Sequence, residues 1–162
     1  MRRLAWLGWV GFTTALIQGG QAAAADSTTD FQVRVTITST CNAGAVTATD
    51  VDFGSVSSSA TDVTATGQLQ VLCTSGTAYT VALDNGDNAA AGSRQMVSGG
   101  NVLPYGLYRS AGTTEPWTAL PGQVHTGTGT GTVQQIPVYG VLPSANVPAG
   151  AYVDTVTATL TY

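Results

Sequence analysis

Apolar and polar residues alternate most strictly in Asp30-Phe31-Gln32-Val33-Arg34-Val35-Thr36-Ile37-Thr38. Phe31, Val33, Val35 and Ile37 occupy one parity, and Gln32, Arg34, Thr36 and Thr38 the other. Period two marks a strand with one buried face. The β-branched and aromatic content of the apolar face suits a pleated surface. Further runs follow. Val63 to Cys73 places Leu69, Val71 and Cys73 on one side, and Tyr79, Val81 and Leu83 alternate after the turn Thr74–Thr77. These two runs predict an antiparallel hairpin. A link rich in Gly, Ala and Thr follows Cys41, then a short strand at Val51-Asp52-Phe53-Gly54. Arg94 to Val97 predicts a short strand before Gly99-Gly100, and Leu103, Tyr105 and Leu107 another. Trp117 and Leu120 are expected to cap the core. Thr126 to Thr132 alternates Thr with Gly and predicts a flexible loop or an extended edge.

Val133 to Leu142 predicts a strand with Ile136 and Val138 inward. The last run is the second clearest. Gly150, Tyr152, Val156, Ala158, Leu160 and Tyr162 share a face, and Asp154 interrupts it, marking an edge or a polar contact. No stretch has helical periodicity of useful length. About seven or eight short strands, separated by Gly, Pro and Asn turns, indicate an all-β sandwich.

The start of the chain has a different pattern. Met1-Arg2-Arg3 precedes an uncharged run from Leu4 to Ile17, and Ala22 to Ala25 closes the segment. A basic start, a short apolar core and small residues predict a secretory signal peptide over 1–25. The apolar run is too short for a spanning helix, so membrane insertion is not expected. Residues 26–162 then carry nine acids against Arg34, Arg94 and Arg109, a formal charge of 3 − 9 = −6. There is no lysine, and threonine occurs 26 times. This sparse, acidic charge argues against nucleic acid as a partner. Charged residues are 9% of the chain, against about 25% in ordinary globular domains. The solvent face must be built from Thr, Ser, Gln and Gly, as suits an extracellular structural protein.

Export makes one disulfide, Cys41 to Cys73, the default state of the two cysteines. Metal or redox chemistry by this pair is disfavoured, because there is no C-x-x-C and the sole histidine, His125, is distant and falls in a predicted loop. Asp84-Asn85-Gly86-Asp87-Asn88 lacks the ligand spacing of a calcium loop and predicts a turn. The glycine-rich stretch 126–132 lacks the helix and lysine of a phosphate loop. No serine sits in a nucleophile elbow. No catalytic residue and no cofactor is expected, and Trp117 with the tyrosines reads as core packing before carbohydrate binding.

Assembly remains. Three residues join Ile37 to Cys41, a tether of about 10 Å at most. Residues 26–38 are therefore expected to leave their own domain, residues 39–162, and to fill a groove in a neighbour. Donor and groove lie on different surfaces, so the contact repeats into an open fibre.

Four features of the sequence resemble the spore coat protein U domain family, which includes subunits of archaic (Csu-type) chaperone–usher pili. They are Val33-Arg34-Val35-Thr36-Ile37 before Cys41; Leu69-Gln70-Val71-Leu72-Cys73 with Tyr79-Thr80-Val81-Ala82-Leu83; Leu103-Pro104-Tyr105-Gly106-Leu107-Tyr108; and Ile136-Pro137-Val138-Tyr139-Gly140 continuing to Ala149–Thr155 and the last strand. The resemblance implies an incomplete immunoglobulin-like β-sandwich completed by donor-strand exchange. It implies capture by a periplasmic chaperone, polymerisation at an outer-membrane usher, and a place in a surface fibre serving adhesion and biofilm. Phe31, Val33, Val35 and Ile37 would be the donor residues, and the strand of Gly150, Tyr152, Val156, Ala158, Leu160 and Tyr162 would border the groove and be held by the chaperone. Gly150 and Tyr162 keep the family's twelve-residue spacing of glycine and aromatic, although Tyr162 ends the chain given. A single domain resembles a shaft or minor subunit rather than a two-domain tip adhesin. A coat protein of the same fold and a monomeric carbohydrate-binding sandwich are the alternatives.

Overall fold

The computed structural model describes residues 28–162, apart from the side chains of 43–45. The expected signal peptide, 1–25, lies outside the described residues. Within 28–36 no residue belongs to a strand and every residue is exposed.

The domain that follows contains nine strands and no helix among the described residues. They are β1 (Cys41–Thr49), β2 (Thr61–Cys73), β3 (Ala78–Leu83), β4 (Gln95–Ser98), β5 (Asn101–Pro104), β6 (Gly106–Tyr108), β7 (His125–Thr128), β8 (Gln134–Ser144) and β9 (Ala158–Thr161). One sheet has the order β1-β2-β8-β6, a second β7-β3-β9, and β4-β5 forms a two-stranded hairpin. Neither larger sheet closes on itself. Leu69, Val71, Ile136, Val138 and Leu107 from the first sheet meet Tyr79, Val81 and Leu83 from the second in one core. This is the sandwich expected from alternating inward residues. A second cluster, built on Leu103, Leu142 and Ala145, fills the end beneath the β4-β5 hairpin.

Several expectations are corrected. β2 and β3 are not a hairpin: β2 pairs with β1 and β8, and β3 with β7 and β9. Alternation marks the buried face of each strand and is silent on whether two strands lie side by side or across a core. The crossing at 74–77 is secured by Gly76 N–H to Gly129 O, 2.9 Å, and Gly129 N–H to Thr77 O, 2.7 Å. A Cβ on Gly129 would strike the Thr74 carbonyl. The supposed link after Cys41 is strand β1. Its intrinsic strand signal is weak, but the edge of the 13-residue β2 supplies its partners, with Val46 opposite Val71 and Ala48 opposite Leu69.

Val51-Asp52-Phe53 is not a strand. Val51 and Phe53 turn inward onto Gly67 and Gly140, where any Cβ would collide with them. Leu120 does not cap the core and is 59% exposed. The last strand is regular only over Ala158–Thr161. Upstream, Val153 bridges Val97, and Asp84 and Asp87 donate to the Thr157 and Thr155 carbonyls, both at 3.0 Å. Gly150 and Tyr162 lie outside it and are exposed.

Trp117 is fully buried and donates its indole N–H to Val81 O at 2.9 Å. His125 opens strand β7 rather than lying in a loop. Its ring sits 5.6 Å from Trp117 and 6.4 Å from Tyr79, centroid to centroid. Burial, with Arg109 adding to it, pushes the imidazole below its usual range. Arg109 is itself engaged by the Val124 and Gly122 carbonyls.

Cys41 and Cys73 form the disulfide and sit opposite each other at the β1–β2 end. The double substitution Cys41→Ser, Cys73→Ser is expected to cost about 3–4 kcal/mol through the chain-entropy effect of its loop. A lowered denaturation midpoint relative to the non-reduced parent checks this. His125 gives a second expectation. Its folded pKa lies below the unfolded value, so its contribution is complete above pH 6.5 and is lost as pH falls through the folded value. Urea midpoints should decline as pH drops below 6.5, and His125→Gln should flatten that decline.

Candidate functional site

A groove of about 660 Å³ runs along the domain. Its walls come from two different sheets. Val46, Ala48, Leu69 and Val138 belong to the first, and Leu83, Val156 and Ala158 to the second sheet and its lead-in. β1 is the end strand of one sheet and β9 the end strand of the other. Each pairs on one side only, so two unpaired edges flank a trough with an apolar floor, and Thr49, Asp50, Asp52 and Asp154 are also in its lining. Open edges of this kind are templates for another strand.

Backbone parity shows which groups are free. Val153, Thr155 and Thr157 turn their peptide groups toward β4 and the continuation of β3. Asp154, Val156, Ala158 and Leu160 have the opposite parity, so theirs face the other side. Asp154 and Val156 have no backbone partner there among the described residues. The side chains alternate as well. Tyr152, Asp154, Val156, Ala158 and Leu160 are half-buried, whereas Ala151, Val153, Thr155, Thr157 and Thr159 are exposed.

Around Asp154 the trough is polar. The Tyr105 hydroxyl donates to Asp154 Oδ2 at 2.6 Å, and Asn88 donates from its backbone and side chain to Asp154 Oδ1 at 3.0 and 2.9 Å. Burial and the bond to Asp154 push the Tyr105 hydroxyl well above the ordinary phenol range. Gly86 packs so closely that a Cβ there would run into the Asp154 carboxylate. The stretch 84–88 is a turn serving this contact. Asp84 Oδ1 accepts from Gly86 N–H and Thr157 N–H, both at 2.9 Å. Burial alone would raise the Asp84 carboxyl, but these bonds and Arg94 bring it below its usual range. Arg94 is buried and donates to the Leu83 and Asp84 carbonyls, fixing the end of β3. Desolvation lowers its guanidinium, against the influence of Tyr105, Asp84 and Asp154.

Of the residues singled out on the C-terminal strand, Tyr152, Val156 and Ala158 line the groove, Leu160 packs on the core, and Gly150 and Tyr162 do neither. Phe31, Val33, Val35 and Ile37 are 84%, 87%, 82% and 87% exposed. The opposite wall (Val46, Ala48, Leu69, Val138) and Tyr105 were not anticipated as site residues. The polar interruption at Asp154 was the one local signal of the polar contact.

The sequence model of the spore coat protein U domain matches residues 27–159. The chain belongs to that family. Protein U of Myxococcus xanthus is 34% identical over 110 residues, a match spanning 62% of each protein. Among solved structures, the fold is similar to a chain in the CsuC–CsuE chaperone–tip adhesion subunit pre-assembly complex from archaic chaperone–usher Csu pili of Acinetobacter baumannii. The TM-score is 0.58 at 24% identity, over 78% of this chain and 40% of that one. The chain thus spans about three fifths of protein U and two fifths of the structural neighbour. The incomplete immunoglobulin-like sandwich agrees with this fold likeness.

Removing the hydroxyl that caps Asp154 tests the polar contact. Tyr105→Phe should lower unfolding free energy by about 1–3 kcal/mol, the cost of a lost bond to a charged acceptor. Urea unfolding of the domain measures it.

Proposed function

We propose that this protein is a structural subunit of a surface fibre of the chaperone–usher kind, joined to its neighbour by its N-terminal segment. The observation that carries the reading is the pairing of two features in one chain. One is a trough with an apolar floor of Leu69, Leu83 and Val138 between two unpaired strand edges. The other is a segment presenting four exposed apolar side chains at period two. An inserted strand satisfies the backbone of both edges and buries alternate side chains in the trough. Donor and acceptor are different surfaces, so each copy both gives and receives, and assembly continues head to tail.

The family and the fold likeness to a Csu pilus subunit complex support the reading. Before assembly, the exposed groove needs a holder. A periplasmic chaperone occupying the C-terminal edge fills that role, and an outer-membrane usher exchanges it for the next subunit. Export of residues 26–162 to the cell surface, with adhesion or biofilm as the outcome, follows from the same reading. A second reading, a coat layer assembled by the same strand insertion, is favoured by the description of the matching family, the spore coat protein U domain.

The test is electron microscopy and unboiled gel electrophoresis of residues 26–162 beside a version lacking 26–38. Fibres or ladders are expected only from the longer form. Compact monomers from both would overturn strand insertion and favour a self-contained binding sandwich. Val35→Asp is expected to reduce polymer by about a hundredfold or more, because an unpaired buried carboxylate costs several kcal/mol. The same variant should still accept an added peptide of residues 28–40, since its own groove is unchanged. Normal fibres from Val35→Asp would refute the assignment of donor residues.

A further inference from the structure

The groove floor carries Leu69, Leu83, Val138, Val156 and Ala158, and on its C-terminal wall the fixed carboxylate of Asp154 separates Val156 from Tyr152. From Val156 onward the half-buried positions of the C-terminal run are Val156, Ala158 and Leu160, and Tyr162, which is exposed in the single chain, continues their parity. The preceding inward position is Asp154, immobilised by Tyr105 and both nitrogens of Asn88. The N-terminal segment has the matching profile. Its inward parity reads Thr29, Phe31, Val33, Val35, Ile37, Ser39, four apolar residues between two hydroxyls.

We propose that Asp154 is the register stop of strand insertion, a role that rests on the fibre reading above. The inserted strand runs antiparallel to β9, extending the antiparallel pairing that β9 already makes with β3. Phe31 then lies opposite Tyr162, Val33 opposite Leu160, Val35 opposite Ala158 and Ile37 opposite Val156. The Ser39 hydroxyl meets the Asp154 carboxylate. The free peptide groups of Asp154, Val156, Ala158 and Leu160 face this strand and pair with it directly.

Both neighbouring registers are closed. Withdrawal by two residues keeps the same face inward but sets Ile37 against the Asp154 carboxylate, leaving a charge against an apolar side chain. Deeper insertion by two residues would bring Cys41 opposite Asp154. Cys41 is committed to its own domain by the bond to Cys73, and the Thr40 carbonyl by the Thr74 N–H at 2.9 Å. A slip of one residue turns Gln32, Arg34 and Thr36 into the groove instead. A pattern of four similar aliphatic and aromatic residues cannot by itself distinguish registers two apart. The carboxylate makes that distinction.

The experiment is cross-linking between copies through outward-facing positions that leave groove and core untouched. Gln32→Cys is combined in turn with Thr161→Cys, Thr159→Cys and Thr157→Cys in the 26–162 chain. These report the proposed register, the withdrawn register and a parallel strand, respectively. The expected result is a 32–161 disulfide ladder at least about tenfold stronger than the other two, the ratio set by leaving a polar group unsatisfied. Adding Ile37→Ser, a change outside the folded domain, puts a hydroxyl opposite Asp154 in the withdrawn register. It should shift cross-linking toward 32–159. Asp154→Leu should shift it the same way.

Fibres that cross-link equally at 159 and 161, or that ignore Ile37→Ser, would overturn the register stop and leave the fibre reading standing. A dominant 32–157 product would overturn the antiparallel register. Absence of both fibres and cross-links from every pair would overturn the fibre reading itself, and the register with it.

Discussion

Two strand edges that face each other without a partner between them govern this domain. Between β1, the end strand of one sheet, and β9, the end strand of the other, the core lies open as a groove. There the backbone presents unmet peptide groups beside Leu69, Val138 and Leu83, which reach the trough from its floor and walls. A sheet edge costs little while water satisfies it. Here the edge borders apolar surface, and water serves both poorly. The most economical remedy is one extended strand with a single apolar face, because it answers the polar and apolar deficits together.

The rest of the molecule keeps that line open without letting the fold fail. The disulfide anchors β1 to β2 at one end, so the edge strand cannot peel away. Trp117 ties the long loop after β6 to the backbone of β3. Arg94 clamps the carbonyls at the end of β3 and thereby holds the surface on which the C-terminal run lies. Val51 and Phe53 pack into the space left by Gly67 and Gly140, joining the two core clusters where a continuous second sheet is missing. The Tyr105–Asp154–Asn88 contacts fix a carboxylate in the wall of the trough.

Much of this was legible in the sequence because the signals are local. Leu69/Val71/Cys73, Tyr79/Val81/Leu83 and Ile136/Val138 alternate as strands and are strands. The disulfide followed from a count of two cysteines in a chain expected to be exported. The misreadings share a cause. β1 owes its strand state to an edge twenty-odd residues away, so a segment rich in glycine, alanine and threonine gave no sign of it. The β2–β3 pair looked like a hairpin because inward faces do not name their neighbours. Val51 and Phe53 depend on two glycines that come close only after β2 and β8 have paired. The acceptor wall was invisible for the same reason, since Val46, Leu69 and Val138 come together only through three strands. The exposed apolar face of Phe31, Val33, Val35 and Ile37 could be read because it is one continuous stretch, and its role as a donor is the proposal made above.

The near absence of basic residues has a consequence for resistance to proteolysis. After the expected leader, arginine occurs at three places and lysine at none. Arg94 is buried, and Arg109 is held by two carbonyls of its own loop. Only Arg34, in the segment proposed to enter the neighbour, is exposed on an unpaired backbone. A protease that cuts after basic residues therefore finds its accessible target in the segment proposed to join the copies. In a fibre, strand pairing on both sides withholds that bond from the extended, unpaired conformation a protease must seize. Polymerisation would then hide the weakest point of each subunit, leaving the last unjoined copy as the one open to digestion.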